Sequence, residues 1–411
     1  MADCWDYAAI PLSQRQMATT FHMLAKTFKG LEPVLAQELA QLGATDIRPE
    51  RRAVAFSGDK KMLYRTNVCL RTASRVLVPI ATFRADDADE VYAEAKQLDW
   101  AQFMSLSTGF AIDTTVYSET FRHSKYVAYR VKDAIADWWT EREGKRPNVK
   151  LTNPDIQLNV HIAERQVTIS LDSSGESLHK RGYRVATTEA PVNEALAAGM
   201  LLMAGWQGQS DLYDPMCGSG TFLIEAALIA QNIAPGIFRQ SFAFEKWSDF
   251  DPELFEQVYN DDSAERPFTH HIYGSDASFY AIRAAEQNVK AAGQQRFISL
   301  HQIRMQELKP ADTKGAMLIM NPPYGERLAQ NRDVLQLYRE IGSTLKHSFA
   351  GATAWILSSN EEALKCIGLK PSKRIRLLNG ELDCLFNGYE LFAGERKQFV
   401  AGRNNAKHKR L

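Results

Sequence analysis

The sequence predicts an α/β chain. A doubly wound, mostly parallel sheet occupies its C-terminal half, and smaller α+β modules precede it. Three observations carry this expectation. From Pro191 onward, short apolar runs alternate with helix-length amphipathic segments, as in parallel sheets with crossover helices. Before that point the apolar runs alternate residue by residue and include a hairpin signal. Two of the C-terminal apolar runs open into loops of unusual composition, Asp214-Pro-Met-Cys-Gly-Ser-Gly-Thr221 and Asn321-Pro-Pro-Tyr324.

Composition sets the outer bounds. At 411 residues the chain is too long for one ordinary domain. With 45% hydrophobic, 24% charged and 10% aromatic residues, it has the make-up of a folded globular protein. No stretch approaches the roughly 20 apolar residues of a membrane span, and residues 1–19 lack the apolar core of a secretory signal, so a cytoplasmic location is expected. The five cysteines (Cys4, Cys69, Cys217, Cys366 and Cys384) show no C-x-x-C spacing. Neither a zinc site nor a disulfide framework is expected, and no metal. Formal net charge is zero, so an argument for nucleic-acid binding must come from local patches.

Five stretches organise the chain: a leader over 1–19, a module over 20–70, a second over 71–173, the parallel-sheet domain over 174–395, and a basic tail over 396–411. The first module reads as a strand from Phe21, an amphipathic helix from Leu31 to Leu42 closed by Gly43, a strand over Arg52–Phe56 and a helix over Met62–Cys69. The second has a strand from Ser74 to Ala81, a helix over Val91–Leu98 and a strand over Phe110–Tyr117. A long helix over Ser124–Arg142 follows, with Val127, Val131, Ile135 and Trp138 on one face. Strands over Ile156–Ile162 and Gln166–Leu171 then form a hairpin. Ser173–Thr188 is polar and basic and reads as a linker.

In the last domain helices are expected over Asn193–Trp206, Phe222–Asn232, Ala277–Ala292 and Leu335–Phe349. Strands are expected at Leu212-Tyr213, His271–Tyr273, Phe297–Ile303, Ala316–Met320 and Ala352–Leu357. Ligands of such sheets lie at the carboxyl ends of the strands. Asp214 and the glycine loop leave one of those ends. Gly218 and Gly220 permit positive φ and close approach of a ligand to backbone, and the following helix offers unpaired N–H groups. No Lys follows, so this is not a phosphate loop of the Walker type. Tyr273-Gly-Ser-Asp276 ends the next strand with an acid. Asp276 can accept from ribose hydroxyls or cap the helix from Ala277.

Asn321-Pro322-Pro323-Tyr324 leaves a further strand end. Its two prolines remove two donors and stiffen the turn. The Asn321 side-chain carbonyl and the Pro322 carbonyl remain as acceptors, matching the two N–H groups of an exocyclic amine. Tyr324 can stack on the ring that bears it. The alternative for the motif alone is a turn that merely closes a strand. A cofactor cradle and an amine clamp on one sheet suggest group transfer to the amine of a base.

These residues resemble the class I S-adenosylmethionine-dependent methyltransferases that act on amino groups. Asp214–Thr221 is similar to their cofactor loop and Asn321–Tyr324 to their catalytic motif. Thr221-Phe-Leu-Ile-Glu-Ala-Ala227, Leu178-His-Lys-Arg-Gly-Tyr-Arg184 with Ala190-Pro191, and Asn321-Pro-Pro-Tyr-Gly-Glu-Arg-Leu328 narrow the resemblance to THUMP-containing RNA methyltransferases. Within them the chain is most similar to the branch that methylates guanine N2 in bacterial 23S ribosomal RNA. The resemblance implies a ferredoxin-like module, a THUMP RNA-binding domain and a Rossmann-like catalytic domain, in that order. It implies S-adenosylmethionine on Asp214, Pro215, Cys217, Gly218, Ser219, Gly220 and Thr221, its ribose on Asp276, and guanine N2 on Asn321, Pro322, Pro323 and Tyr324. One departure stands out: the family's usual acid near the adenine is missing after the third strand, where Ile303-Arg-Met-Gln-Glu307 leaves only Glu307. Ending at Leu411, the chain is expected to carry one methyltransferase activity, unlike the longer fusions of the family.

Local basic residues supply the candidate RNA contacts: Arg122, Lys125, Lys145, Arg146, Lys180, Arg181 and Arg184, interleaved with Phe121, Tyr126 and Tyr183. A solvated charged face is the plain alternative for each. The expected partner is 23S rRNA or a large-subunit precursor. Other readings are a tRNA guanine-N2 enzyme, an adenine-N6 enzyme on RNA or DNA, and an RNA-binding assembly factor without catalysis.

Overall fold

A computed structural model of the chain describes residues 20–121, 123–189, 191–323 and 331–392. The chain divides into two compact units. One comprises residues up to Lys180 together with Ala234–Asp261, the other Arg181–Ile233 and the residues from Asp262 on.

The first unit is built on one seven-stranded sheet. Its strands are β1 (Phe21–Thr27), β2 (Thr45–Glu50), β3 (Ala53–Gly58), β4 (Ala73–Arg84), β5 (Phe110–Tyr117), β6 (Ile156–Ala163) and β7 (Gln166–Asp172), in the order β2-β3-β1-β4-β7-β6-β5. The two expected N-terminal modules therefore share a sheet, and β4 joins them. Its first half pairs antiparallel with β1 as far as Leu77, and its second half pairs with β7 from Leu77 to Arg84. Pro79, which has no N–H to give, falls after the β1 pairing ends, and the register shifts between Pro79 and Ala81. Helices α1 (Glu32–Leu42), α2 (Lys60–Cys69), α3 (Ala88–Gln97) and α4 (Ser124–Glu143) accompany the sheet. The faces of α4 alternate as its sequence requires: Val127, Val131, Ile135 and Trp138 are buried, while Tyr126 and Tyr129 are more than half exposed.

The second unit opens with α5 (Glu194–Met203), β8 (Leu212–Asp214) and α6 (Thr221–Gln231). Helix α6 is buried from Thr221 to Ala230, with Glu225 its one charged residue. The chain then supplies Ala234–Asp261, including α7 (Pro252–Tyr259), to the first unit. Phe242, Phe244, Trp247 and Val258 of this excursion sit in that unit's core, where Tyr64 stacks on Phe244 at 4.6 Å. Arg239 donates to the carbonyls of Ser174, Glu176, Ser177 and Lys180. The stretch expected as the start of the catalytic domain from residue 174 thus divides, with 174–180 and 234–261 in the first unit.

The second unit resumes with β9 (Ile272–Asp276), α8 (Phe279–Ala291), β10 (Ile298–Gln302), β11 (Met317–Met320), α9 (Asn331–Ser348), β12 (Thr353–Ser358), α10 (Glu361–Cys366), β13 (Lys373–Asn379) and β14 (Leu382–Glu390). The strand order is β10-β9-β8-β11-β12-β14-β13. Pairing is parallel from β10 to β12 and antiparallel for β14 with both its neighbours. The order reverses between β8 and β11, where crossovers diverge and leave a crevice at the strands' carboxyl ends. Among the described residues no helix is long and apolar enough to cross a membrane, and no cluster of side chains suits a metal ion.

Candidate active site

A cavity of about 490 Å³ lies over that reversal, within the size range of small-molecule sites. Loops leaving β8, β9, β10 and β11 line it, joined by residues of 188–192 and by Leu337 and Glu340 of α9. Asp214, Pro215, Cys217, Gly218, Ser219 and Thr221 all face it, as do Asp276, Asn321 and Pro323. Gly220 does not line the cavity; it shapes the turn.

The glycine loop takes its form from two left-handed residues, Gly218 at φ 53° and Gly220 at φ 83°, a region where L side chains are strained. Gly220 also packs closely on α8: a Cβ there would meet the Ala285 Cβ at 3.3 Å. The loop is pinned to the neighbouring strand twice. Cys217 N donates to the Ser275 carbonyl at 2.9 Å, and Gly218 N donates to Asp276 Oδ2 at 3.1 Å. Asp276 also receives Ser278 N at 2.9 Å. The cap of α8 is Ser278, whose hydroxyl accepts from Ala281 N. Asp276 therefore stands ahead of the helix, at the cavity wall.

Electrostatics here are set by burial. Asp214 is 1% exposed and, among the described residues, receives only Met216 N, at 3.2 Å. Burial, with the Asp276 charge adding to it, pushes its carboxyl well above the usual range. The Cys217 thiol is pushed up in the same way, by burial and then by both carboxylates. It stays a thiol and is no nucleophile.

Asn321 leaves the carboxyl end of β11, a strand buried along its whole length. Its Oδ1 is buried and has no hydrogen-bond partner among the described residues. A buried unpaired carbonyl costs about 1–3 kcal/mol, and this one belongs to a residue that lines the cavity. Pro323 lines the cavity as well, whereas Pro322 is buried and does not. Tyr324 lies outside the described residues.

Other parts of the wall were not legible as site residues. Arg304, Met305 and Gln306 line the cavity after β10, and Glu307, the acid singled out in the sequence, does not. An acid is nevertheless present. Glu340 comes from α9, its Oε2 accepting from Gln306 Nε2 and its Oε1 from Gln336 Nε2 at 3.0 Å. It lies 33 positions beyond Glu307, where no local motif points to it.

The basic residues divide. Lys125, Lys145 and Arg146 are exposed, Arg146 with Asp137 at 3.6 Å, and Lys180 is exposed with Glu176 at 2.6 Å. Arg122 lies outside the described residues. Arg181 corrects the expectation of a surface contact: it is 2% exposed, and its Nε faces Glu225 Oε1 at 3.4 Å, which also receives the Tyr183 hydroxyl at 2.8 Å. Arg184 corrects it too. Its guanidinium is spent on Glu194, Val192, Ser219 and Thr221. Arg181 is held because a buried charge must be paired, Arg184 is partly buried among its four acceptors, and the partners of both lie elsewhere along the chain.

A parallel sheet in this order, reversed beside its first strand and completed by an antiparallel hairpin, with an acid-and-glycine loop and an unpaired amide carbonyl facing one cavity, defines the class I S-adenosylmethionine-dependent methyltransferases. The residues fit that cofactor: a loop of bare backbone, Asp214 for a cation and Asp276 for hydroxyl groups share the cavity.

Comparison with known proteins gives the family. Sequence profiles match at residues 22–77 for the RlmL ferredoxin-like domain, 85–172 for the THUMP domain and 181–387 for the RMKL-like methyltransferase domain. A Synechocystis sp. protein provisionally named an RNA methyltransferase is 41% identical over 91% of this chain and 98% of its own length. The ribosomal RNA large subunit methyltransferase K/L of Syntrophotalea carbinolica is 38% identical over 88% of this chain. This chain spans about half of that relative's length, 52%. A provisionally assigned methyltransferase solved with S-adenosylhomocysteine bound superposes with TM-score 0.82 at 32% identity, covering 92% of this chain and all of its own. A predicted N6-adenine-specific DNA methylase from Listeria monocytogenes superposes at 0.81 with 32% identity, over 93% and 98% of the two chains. The chain belongs to the THUMP-containing RNA methyltransferase family, and its cofactor is S-adenosylmethionine.

Proposed function

We propose that the protein methylates the exocyclic N2 amine of a guanine in large-subunit (23S) ribosomal RNA. The carrying observation is the buried Oδ1 of Asn321, without a hydrogen-bond partner among the described residues, on the wall of the cofactor cavity. An acceptor left unsatisfied in a folded protein awaits a donor, and an amine brings one. When bound, S-adenosylmethionine supplies an electrophilic methyl group on a sulfonium. Asn321 Oδ1 accepts an N–H of the amine, which turns the nitrogen lone pair toward the methyl carbon and raises its electron density. With the cofactor bound, transfer would form the N–C bond as the C–S bond breaks, and the proton left on nitrogen would pass to water. The fully buried β11 fixes Asn321, so that no reorganisation is needed at that moment. Asp214 and Asp276 would hold the cofactor's cationic and hydroxyl-bearing ends, and stacking on the base is the role that the resemblance implies for Tyr324. The target base must leave its stack to reach such a cavity. Lys125, Lys145 and Arg146, with the exposed Tyr126 and Tyr129, form the RNA-facing surface of the first unit.

The choice of large-subunit ribosomal RNA is supported by the names of the K/L relatives, and that of guanine N2 by the resemblance of the motifs. Adenine N6 is the second reading, favoured by the Listeria neighbour's description. The test is methyl transfer from labelled S-adenosylmethionine to protein-free ribosomal RNA, tRNA and duplex DNA, followed by nucleoside analysis. Label in N2-methylguanosine from ribosomal RNA is expected. Label confined to N6-methyladenosine, or to tRNA, would overturn it.

A further inference from the structure

We propose that Arg184, together with Asn288, is a positioning residue for the cofactor: the two side chains fasten residues of 185–192 to the glycine loop and so fix two walls of one cavity. Neither side chain lines the cavity itself. Arg184 Nη1 donates to Ser219 Oγ at 3.0 Å, and Nη2 donates to Thr221 Oγ1 at 2.9 Å and to the Val192 carbonyl at 3.1 Å. Its Nε donates to Glu194 Oε1 at 2.7 Å, at the first turn of α5. Ser219 and Thr221 belong to the cofactor loop, and Val192 belongs to the opposing run of lining residues, Thr188, Glu189, Pro191 and Val192.

Asn288 makes the second fastening from α8. It is 1% exposed, and its amide is used in full. Oδ1 accepts from Val185 N at 2.8 Å and Ala186 N at 2.9 Å. Nδ2 donates to the Ala186 carbonyl at 2.8 Å and the Ser219 carbonyl at 2.9 Å. Ser219 is thus gripped twice, at its hydroxyl by Arg184 and at its carbonyl by Asn288. Four acceptors around one planar fork suit guanidinium and not ammonium, which is a single point of charge. This assigns work to the Lys180-Arg-Gly-Tyr-Arg184 motif that RNA contact does not explain. The inference concerns the cofactor and stands whichever base is methylated.

Calorimetric titration of the full chain with S-adenosylhomocysteine tests it, on wild type and on Arg184→Lys, Arg184→Gln, Asn288→Asp and Ser219→Ala. Arg184→Lys is expected to weaken binding about tenfold, since the fork is lost while the charge stays. Ser219→Ala should weaken it less, and the double variant Arg184→Lys/Ser219→Ala should fall short of the sum of the singles, because the two share a bond. In turnover the loss should appear in the cofactor KM, with kcat at saturation and cofactor-free RNA affinity unchanged. The thermal midpoint of each ligand-free variant reports folding. If Arg184→Gln does not fold, Arg184→Lys and Ser219→Ala still decide. Unchanged cofactor affinity in Arg184→Lys and Asn288→Asp, or weakened RNA affinity with cofactor affinity intact, would overturn the assignment.

Discussion

Two side chains at the cavity carry opposite kinds of tension, and each has a measurable consequence. Asn321 Oδ1 is an acceptor without a donor among the described residues. Replacing Asn321 by Ala removes an interaction used only with substrate, so cofactor affinity should stay near wild type while transfer falls by about 10²–10³-fold. Calorimetry with S-adenosylhomocysteine beside a single-turnover assay separates the two. Asp214 carries tension of the other sign, a carboxylate buried with a second one nearby. Because its folded pKa is raised, the native protein holds this proton more tightly than the unfolded chain does. Its contribution to stability is therefore lost as pH rises from the unfolded carboxylate range to the raised value, and the cost is complete above it. Asp214→Asn removes that cost, and above the raised value the ligand-free variant should melt higher, by about 2–4 °C for each kcal/mol relieved. The cofactor's ammonium group favours the charged carboxylate. In wild type, then, affinity should climb with pH up to the raised value, with a proton released on binding below it. In Asp214→Asn the affinity should be lower and the climb flat. Titration in buffers of different ionisation enthalpy reads the proton directly. A wild-type affinity that does not change with pH anywhere in the range over which the protein stays folded would remove Asp214 from this role.

Elements differ in how much of them the sequence discloses, and the reason is how local their causes are. The glycine loop and the Asn321 turn are legible because a positive φ and a missing N–H are properties of the residue itself. The alternation of α5, α6, α8 and α9 with β8 to β12 is legible because crossover helices are long, largely apolar along α5 and α6, and amphipathic in α8 and α9. The closing hairpin of β13 and β14 has its own local signal, Gly380 at φ 64° in a two-residue loop after Asn379, although its strands carry little alternation. What is not legible depends on distant partners. Arg181 and Arg184 read as surface charge because Glu225 and Glu194, which pair with them, lie 44 and 10 residues away. Glu340 reaches the cavity only through the docking of α9. Outside the short helix α7 the run 234–261 shows no helical period, so Phe242, Phe244 and Trp247 do not announce a core. Its attachment to α2 is nonetheless tight: a Cβ on Gly236 would meet the Val68 carbonyl oxygen at 2.6 Å and its Cα at 2.7 Å. Backbone does not yield as a side chain does, so Gly236→Ala should destabilise the first unit by about 1–3 kcal/mol. Hydrogen exchange should show the loss in α2 and α7, with α6 and β11 of the second unit still protected.

At the scale of the whole molecule, a net charge of zero leaves RNA attraction to local patches, so its salt dependence should trace to few residues. Charge reversal at Lys125 or Lys145 should weaken RNA binding across sequences and lower the slope of log affinity against log salt by about one for each phosphate no longer neutralised. Binding at several salt concentrations measures this, and an unchanged slope would take those residues out of the interface. A second consequence comes from the path of the chain. The first unit is discontinuous in sequence: it needs Ala234–Asp261, which are encoded inside the methyltransferase match of 181–387. Phe242, Phe244 and Trp247 are each at most 5% exposed in its core, and burying each such ring is worth about 1.5–3 kcal/mol. Arg239 closes four carbonyls of the bend at 174–180 that would otherwise lack this donor. A fragment of residues 20–180 retains all seven strands of its sheet yet loses these groups, a deficit comparable with the roughly 5–15 kcal/mol by which whole domains are stable. It should therefore bind a hydrophobic dye and show broad, weakly cooperative melting. The same fragment extended by a short linker to 234–261 should melt cooperatively and exclude the dye. Equal cooperativity in the two would mean that the excursion decorates the first unit without completing it.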